Sequence, residues 1–253
     1  MLQILSQRKL PSRAPHVVPL RARVSHVMRA SSNGFNTYVI SSLELSKNLA
    51  AVDQVKTQLL SELVGLDRGI FGAPAAKKAR ILALIGELEK HNTQTTPTAN
   101  LESVAGDWRL LYSTITITGA KRTKLGLREF VRLGEFTQHI DTTNNLAVNR
   151  IEFSVSGLSA IKGSLTIRAN YQVASEQRVG ITYLDSALTP SQLQKIFEAN
   201  LDLLLSIFNP EGHLDITYLD VEGQGTAGGP FGCWRVGRDN KGNVFLLERP
   251  RGH

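Results

Sequence analysis

The chain has 253 residues, 42% of them hydrophobic and 20% charged, values ordinary for a globular protein and enough for one large domain or two small ones. The net charge of +7 would suit an anionic partner, but none of the 22 acidic residues precedes Glu44, whereas Arg8, Lys9, Arg13, Arg21, Arg23 and Arg29 do. The rest is therefore nearly neutral, which argues against nucleic acid as a partner, and the single cysteine, Cys233, excludes an internal disulfide and a four-thiolate zinc site.

Residues 1–43 combine those six cations with Ser6, Ser12, Ser25, Ser31, Ser32, Ser41 and Ser42 and are interrupted by Pro11, Pro15 and Pro19. They lack the continuous apolar core of a secretory signal and match the composition of an organelle transit peptide. Too little apolar surface is available to fold, so the expectation is a disordered leader cut near Val27–Ala30. Composition leaves chloroplast and mitochondrion both open.

Residues 44–100 read as a helical segment. Leu45, Leu49, Val52, Leu59 and Leu63 form one apolar stripe over 43–64, with Glu44, Lys47, Asp53 and Lys56 between them. Gly65 to Gly69 breaks that helix. Pro74 suits the first turn of a second one over 75–91, with Ile81, Leu84, Ile85 and Leu88 on one face, and 93–100 reads as a linker.

From Gly106 the apolar period falls from 3.6 to 2. Leu165, Ile167, Ala169, Tyr171 and Val173 alternate with polar residues, as do Ile151, Phe153 and Val155. Further strands are expected over 107–117, 134–141, 178–184, 213–220 and 243–249; the pentapeptide shared by Ile181–Asp185 and Ile216–Asp220 supports two of them. Half-buried strands of this number suggest an antiparallel sandwich or a closed barrel. Thr189-Pro190-Ser191 looks like a helix start, followed by Leu193, Ile196, Phe197, Leu201, Leu204, Leu205 and Phe208, and Asn209 to Gly212 a stop. That helix would serve as a lid or lie against lipid. Its strongly apolar part, Leu201 to Phe208, is far short of the ~20 residues that cross a bilayer.

Chemistry-bearing patterns are sparse. Gly223 to Gly228 fits the letters of a dinucleotide fingerprint but lacks the strand before and helix after that the phosphate needs, and a mobile loop accounts for it better. The histidines at 16, 26, 91, 139, 213 and 253 have no metal-ligand spacing, and a chance grouping of His139, Asp185 and Ser154 is the nearest thing to a triad. No cofactor and no catalytic residue is therefore expected. Lys121, Arg122, Lys124 and Arg128, with Arg132, form the one cationic run after the leader: a solvated hairpin, or a rim that attracts a phosphorylated head group or an acidic lipid surface. Aromatic residues are not interleaved with it as in nucleic-acid modules.

Gly106-Asp107-Trp108 resembles the Gly-x-Trp of lipocalins, and with Arg109-Leu110-Leu111-Tyr112-Ser113-Thr114 it resembles the plastid lipid-associated protein (PAP)/fibrillin family. So do Leu66-Asp67-Arg68-Gly69, the run from Ile85 to Glu89 with Asn92 and Pro97, the stretch Leu214–Asp220, and Arg235–Phe245. The resemblance covers 44–250. It implies a mainly β fold: an antiparallel lipocalin-like barrel over 101–250, preceded by two N-terminal helices and with one helix inserted before the last strands. Trp108, Phe153, Ile167, Tyr171, Tyr218 and Phe245 would line the cup, with Lys121, Arg122, Lys124 and Arg128 as the head-group rim. Val221 to Trp234 departs from the family pattern as a Gly-rich insert, either a surface loop or an altered splice junction, and puts the pairing of the last strands in doubt. Leu125–Phe130 and Leu247–Pro250 look most like the fifth fibrillin subgroup. That likeness implies a non-enzymatic stromal chloroplast protein that binds a prenyl lipid and assists a solanesyl diphosphate synthase in making the plastoquinone side chain. A coat on plastid lipid globules, or a thylakoid association, is the alternative.

Overall fold

Two helices lead into a sheet that closes on itself. The computed structural model describes residues 32–116, 131–155, 161–191, 211–220 and 231–249. The chain divides into two compact units, Met1–Ser41 and Ser42–His253. Of the first, only the opening of α1 (Ser32–Leu63) is described; everything below concerns the second. That helix begins inside the segment read as leader, whose first 31 residues lie outside the described ones.

In α1 the buried positions are Val52, Val55 and Leu59, an i, i+3, i+7 stripe. Lys56 falls on the same stripe and is completely buried, although the sequence places it among the polar residues of the helix. The chain turns back through Asp67, Arg68 and Gly69, all with positive φ (45°, 61° and 81°). Gly69 packs so tightly that a Cβ there would lie 2.4 Å from the Ser113 carbonyl oxygen, so the turn needs glycine for space as well as for backbone angle. Helix α2 (Ala75–Lys90) buries Ile81, Ile85 and Leu88, each worth ~1.5–3 kcal/mol of transfer free energy. Arg80 and Glu62 join α2 to α1 through contacts of 2.9 and 3.2 Å.

Eight antiparallel strands follow: β1 (Gly106–Ser113), β2 (Val131–Asp141), β3 (Leu146–Val155), β4 (Ile161–Val173), β5 (Arg178–Thr189), β6 (Gly212–Leu219), β7 (Cys233–Asp239) and β8 (Val244–Arg249). Each pairs with the next in sequence, and β1 pairs with β8, closing the barrel as the family resemblance implies. The doubt over the last strands is resolved: β7 starts inside the Gly-rich insert, pairs Leu219 with Arg235 on one side and Arg235 with Leu247 on the other. The rest of that insert, 221–230, lies outside the described residues. Strand β5 continues to Thr189, beyond its expected end, with Arg168 of β4 holding Asp185 in a two-point ion pair. Thr189 is thus the end of a strand; the helix expected over 190–208 falls, from residue 192 on, outside the described residues.

One end of the barrel is shut by the segment before β1. One short 3-10 turn, Pro97–Ala99, falls in the stretch read as a linker and a second, Leu101–Ser103, follows it. Thr98 ties it to the β4–β5 turn through Ser175 and Glu176. The Trp108 indole N–H donates to the Val104 carbonyl (2.9 Å), and Arg249 donates to the carbonyls of Ser103 and Ala105 (2.9 and 2.6 Å). Two separate apolar layers result. One fills the barrel; the other lies between the helices and the outside of β6, β7 and β8.

Candidate functional site

The strand pleat sends alternate residues inward. Trp108 and Leu110 of β1, Ile151 and Phe153 of β3, Leu165, Ile167 and Tyr171 of β4, and Phe245 and Leu247 of β8 meet in the interior layer. Five of the six residues expected to line the cup are there: Trp108, Phe153, Ile167, Tyr171 and Phe245. Tyr218 is not. A bulge between Ile216 and Tyr218 reverses the pleat, so Ile216 points in while Tyr218 packs outside with Trp234, Val236 and the two helices. Its hydroxyl donates to Asp220, which also accepts from Lys56 (2.6 Å) and from the Trp234 backbone N–H (2.7 Å). Burial pushes the Tyr218 phenol far above its ordinary range, and the Asp220 charge adds to the shift.

The interior is not uniformly apolar. Arg235 enters it from β7 at 3% exposure, its guanidinium 4.5 Å from the centre of the Trp108 ring. It donates to the Gln138 side-chain oxygen, and Gln138 in turn donates to Asn149 (2.8 Å). Two cavities of about 50 Å³ each flank this group. Leu110, Asn149, Ala169, Asp239, Phe245 and Leu247 border the first, and Leu101, Val104, Ile140, Tyr171, Val179 and Ile216 the second. Gln138, Ala147, Ile181, Leu214 and Arg235 border both. Each holds roughly one or two waters. Sequence reasoning missed Arg235, Gln138 and Asn149, and the pattern explains why. In β7 the apolar residues, Trp234 and Val236, face outward under the helices, while Arg235, Gly237 and Asp239 face in, so the strand carries the reverse of the alternation that marks the others.

Among the described residues, a groove of about 410 Å³ lies over β2, β3 and β4. Leu133, Phe153 and Gly163 form its apolar part, and Arg132, Arg150 and Lys162 its cationic edge. Among the described residues, Glu152 is the one acid on that lining and lies 3.6 Å from Arg150. The expected rim residues Lys121, Arg122, Lys124 and Arg128 are outside the described residues. Arg150 and Lys162 could not be read as a cluster, because strand pairing alone brings them to Arg132.

Chemistry elsewhere is quiet. His139 meets Asp107 (2.7 Å) and Asp185 meets Arg168, so His139, Asp185 and Ser154 do not assemble. Among the described residues, no group of three or more His, Cys, Asp or Glu side chains is placed to hold a metal, and no helix is long and apolar enough to cross a membrane.

The PAP_fibrillin family model matches residues 53–248. A chromoplast-specific carotenoid-associated protein of an Oncidium hybrid cultivar is 29% identical over 60% of this chain and 49% of its own. The plastid-lipid-associated protein of Citrus unshiu is 28% identical over 63% and 48%, and plastoglobulin-1 of Pisum sativum 24% identical over 65% and 46%. The chain spans about half the length of the curated relatives it matches.

Proposed function

The chain belongs to the PAP/fibrillin family, and from that premise we propose that it is a plastid protein that binds an apolar prenyl lipid without transforming it. Residues 1–43 act as its import signal, and the chloroplast stroma is where it works. Its partner is a solanesyl diphosphate synthase, which it relieves of product on the way to the plastoquinone side chain. The observation that supports this best is a closed barrel with an apolar lining beside a groove that, among the described residues, joins Phe153 and Leu133 to three cations. At ~0.8 kcal/mol per buried CH₂, a chain of about 45 carbons left in water carries an unfavourable term on the order of 30 kcal/mol, so a receiver for the product is useful. The apolar end of the groove suits the chain, and Arg132, Arg150 and Lys162 suit a diphosphate or an acidic surface on the partner.

Adding the purified full chain to the synthase should form a complex and raise product release; absence of both removes the partnership. Lipid extracted from the protein as isolated from plastids should contain a prenyl chain, and an empty extract removes the cargo. A relative named plastoglobulin favours a second reading, a coat on plastid lipid globules. Flotation decides it: protein confined to the soluble stroma eliminates the coat.

A further inference from the structure

A buried guanidinium needs a reason. Arg235 is buried, rests on the Trp108 ring and donates to Gln138, yet its Nε–H has no partner among the described residues. Nor does any described carboxylate lie within ion-pair distance of it. Asp239, the acid bordering the same cavity, is fully engaged by the β7–β8 turn, accepting from the backbone N–H groups of Lys241 and Asn243 and from the Asn243 amide (2.9, 2.7 and 2.8 Å). A charge taken out of water without a counter-ion is costly, and the cost is recovered when an anion reaches it.

The geometry points to Arg235 as the receptor for the carboxylate of a fatty-acid-like lipid, bound head inward against the guanidinium. Two features select that chemistry. Arg235 borders both cavities, each large enough for a head group that displaces one or two waters but not for a diphosphate. The planar guanidinium fork matches a planar carboxylate. Burial, with Arg249 adding repulsion, pulls the Arg235 pKa down to about 9, which is the same demand for an anion seen from the protonation side. This ligand goes beyond the prenyl cargo proposed above and does not depend on it.

The test uses cis-parinaric acid and its methyl ester, whose fluorescence rises in an apolar site, with the full chain. The acid should bind the native protein roughly tenfold or more tightly than the ester. Arg235→Gln should abolish the preference for acid over ester, and Arg235→Lys should restore part of it. Because Arg235 also supports Trp108, a readout on the native protein stands beside the variants: oleate labelled with ¹³C at the carboxyl carbon. Its bound resonance should stay at the ionised position to at least about one pH unit below that of free monomer. Equal binding of acid and ester, a bound carboxyl that titrates like the free one, or binding of solanesol without binding of the acid would each overturn the proposal. Binding of the acid without any prenyl lipid would instead leave this site standing and remove the prenyl reading.

Discussion

At the level of single residues, the difference between legible and illegible positions lies in whether side-chain type and side-chain direction agree. Ile167 and Phe153 are apolar and point into the barrel, so alternation alone found them. Tyr218 is equally apolar, but one bulge turns it outward, and no feature of the sequence marks a bulge. Its phenol is held un-ionised by burial and by the neighbouring Asp220 charge, with Asp53 and Cys233 adding smaller contributions. The consequence for stability has a definite sign. The unfolded chain releases this proton near pH 10.0, whereas the folded chain retains it, so stability is complete below that pH and falls as pH rises beyond it. Tyr112 and Tyr171, raised by the same desolvation, act in the same direction. Following phenolate absorbance and far-ultraviolet circular dichroism together from pH 9 to 12 should show part of the phenolate signal appearing only as the fold is lost. Tyr218→Phe should shrink that late component. Ionisation of every phenol near pH 10 with the fold intact would contradict the placement of Tyr218.

Between elements, the docking of α1 on the barrel rests on a charge in an apolar layer. The helix period predicted α1 and α2, and the β period predicted most strands, because each element needs an apolar face and writes it in the sequence. What the period could not announce is Lys56, a cation on the buried stripe, whose ammonium lies 2.6 Å from Asp220 and 5.4 Å from the Trp234 ring. Asp220 in turn accepts from Tyr218 and Trp234, so it fastens α1 to the junction of β6 and β7. Removing one member of a buried pair leaves the other unpaired, at about 3–5 kcal/mol; replacing both is far gentler. Lys56→Met and Asp220→Asn should therefore each destabilise strongly, and the double variant should recover at least about 2 kcal/mol relative to the sum of the two losses. Urea unfolding of the four proteins measures this directly. Simple addition of the single losses would mean that the pair does not hold the helix in place.

For the whole molecule, the deciding quantity is volume. Pockets that enclose a small molecule usually span about 300–1,000 Å³. The two interior cavities hold about 50 Å³ each, whereas the groove over β2, β3 and β4 holds about 410 Å³. Under the proposed function, a long prenyl chain would therefore rest mainly in the groove or against a partner, with only its end inside. That geometry favours hand-off over enclosure, and it could not be read from alternation, which specifies a lining but not how far opposite linings stand apart. Leu110 borders the first cavity at 3% exposure, so truncating it widens the interior directly. Leu110→Ala should cost about 2–5 kcal/mol without ligand, since the surrounding strands cannot close the gap. If lipid ends do enter the barrel, adding solanesol should raise the melting temperature of the variant by more than it raises that of the native chain, because the ligand fills space the mutation emptied. Scanning calorimetry with and without the lipid compares the two shifts. Equal shifts would confine the cargo to the groove and leave the barrel interior to Arg235 and whatever anion it holds.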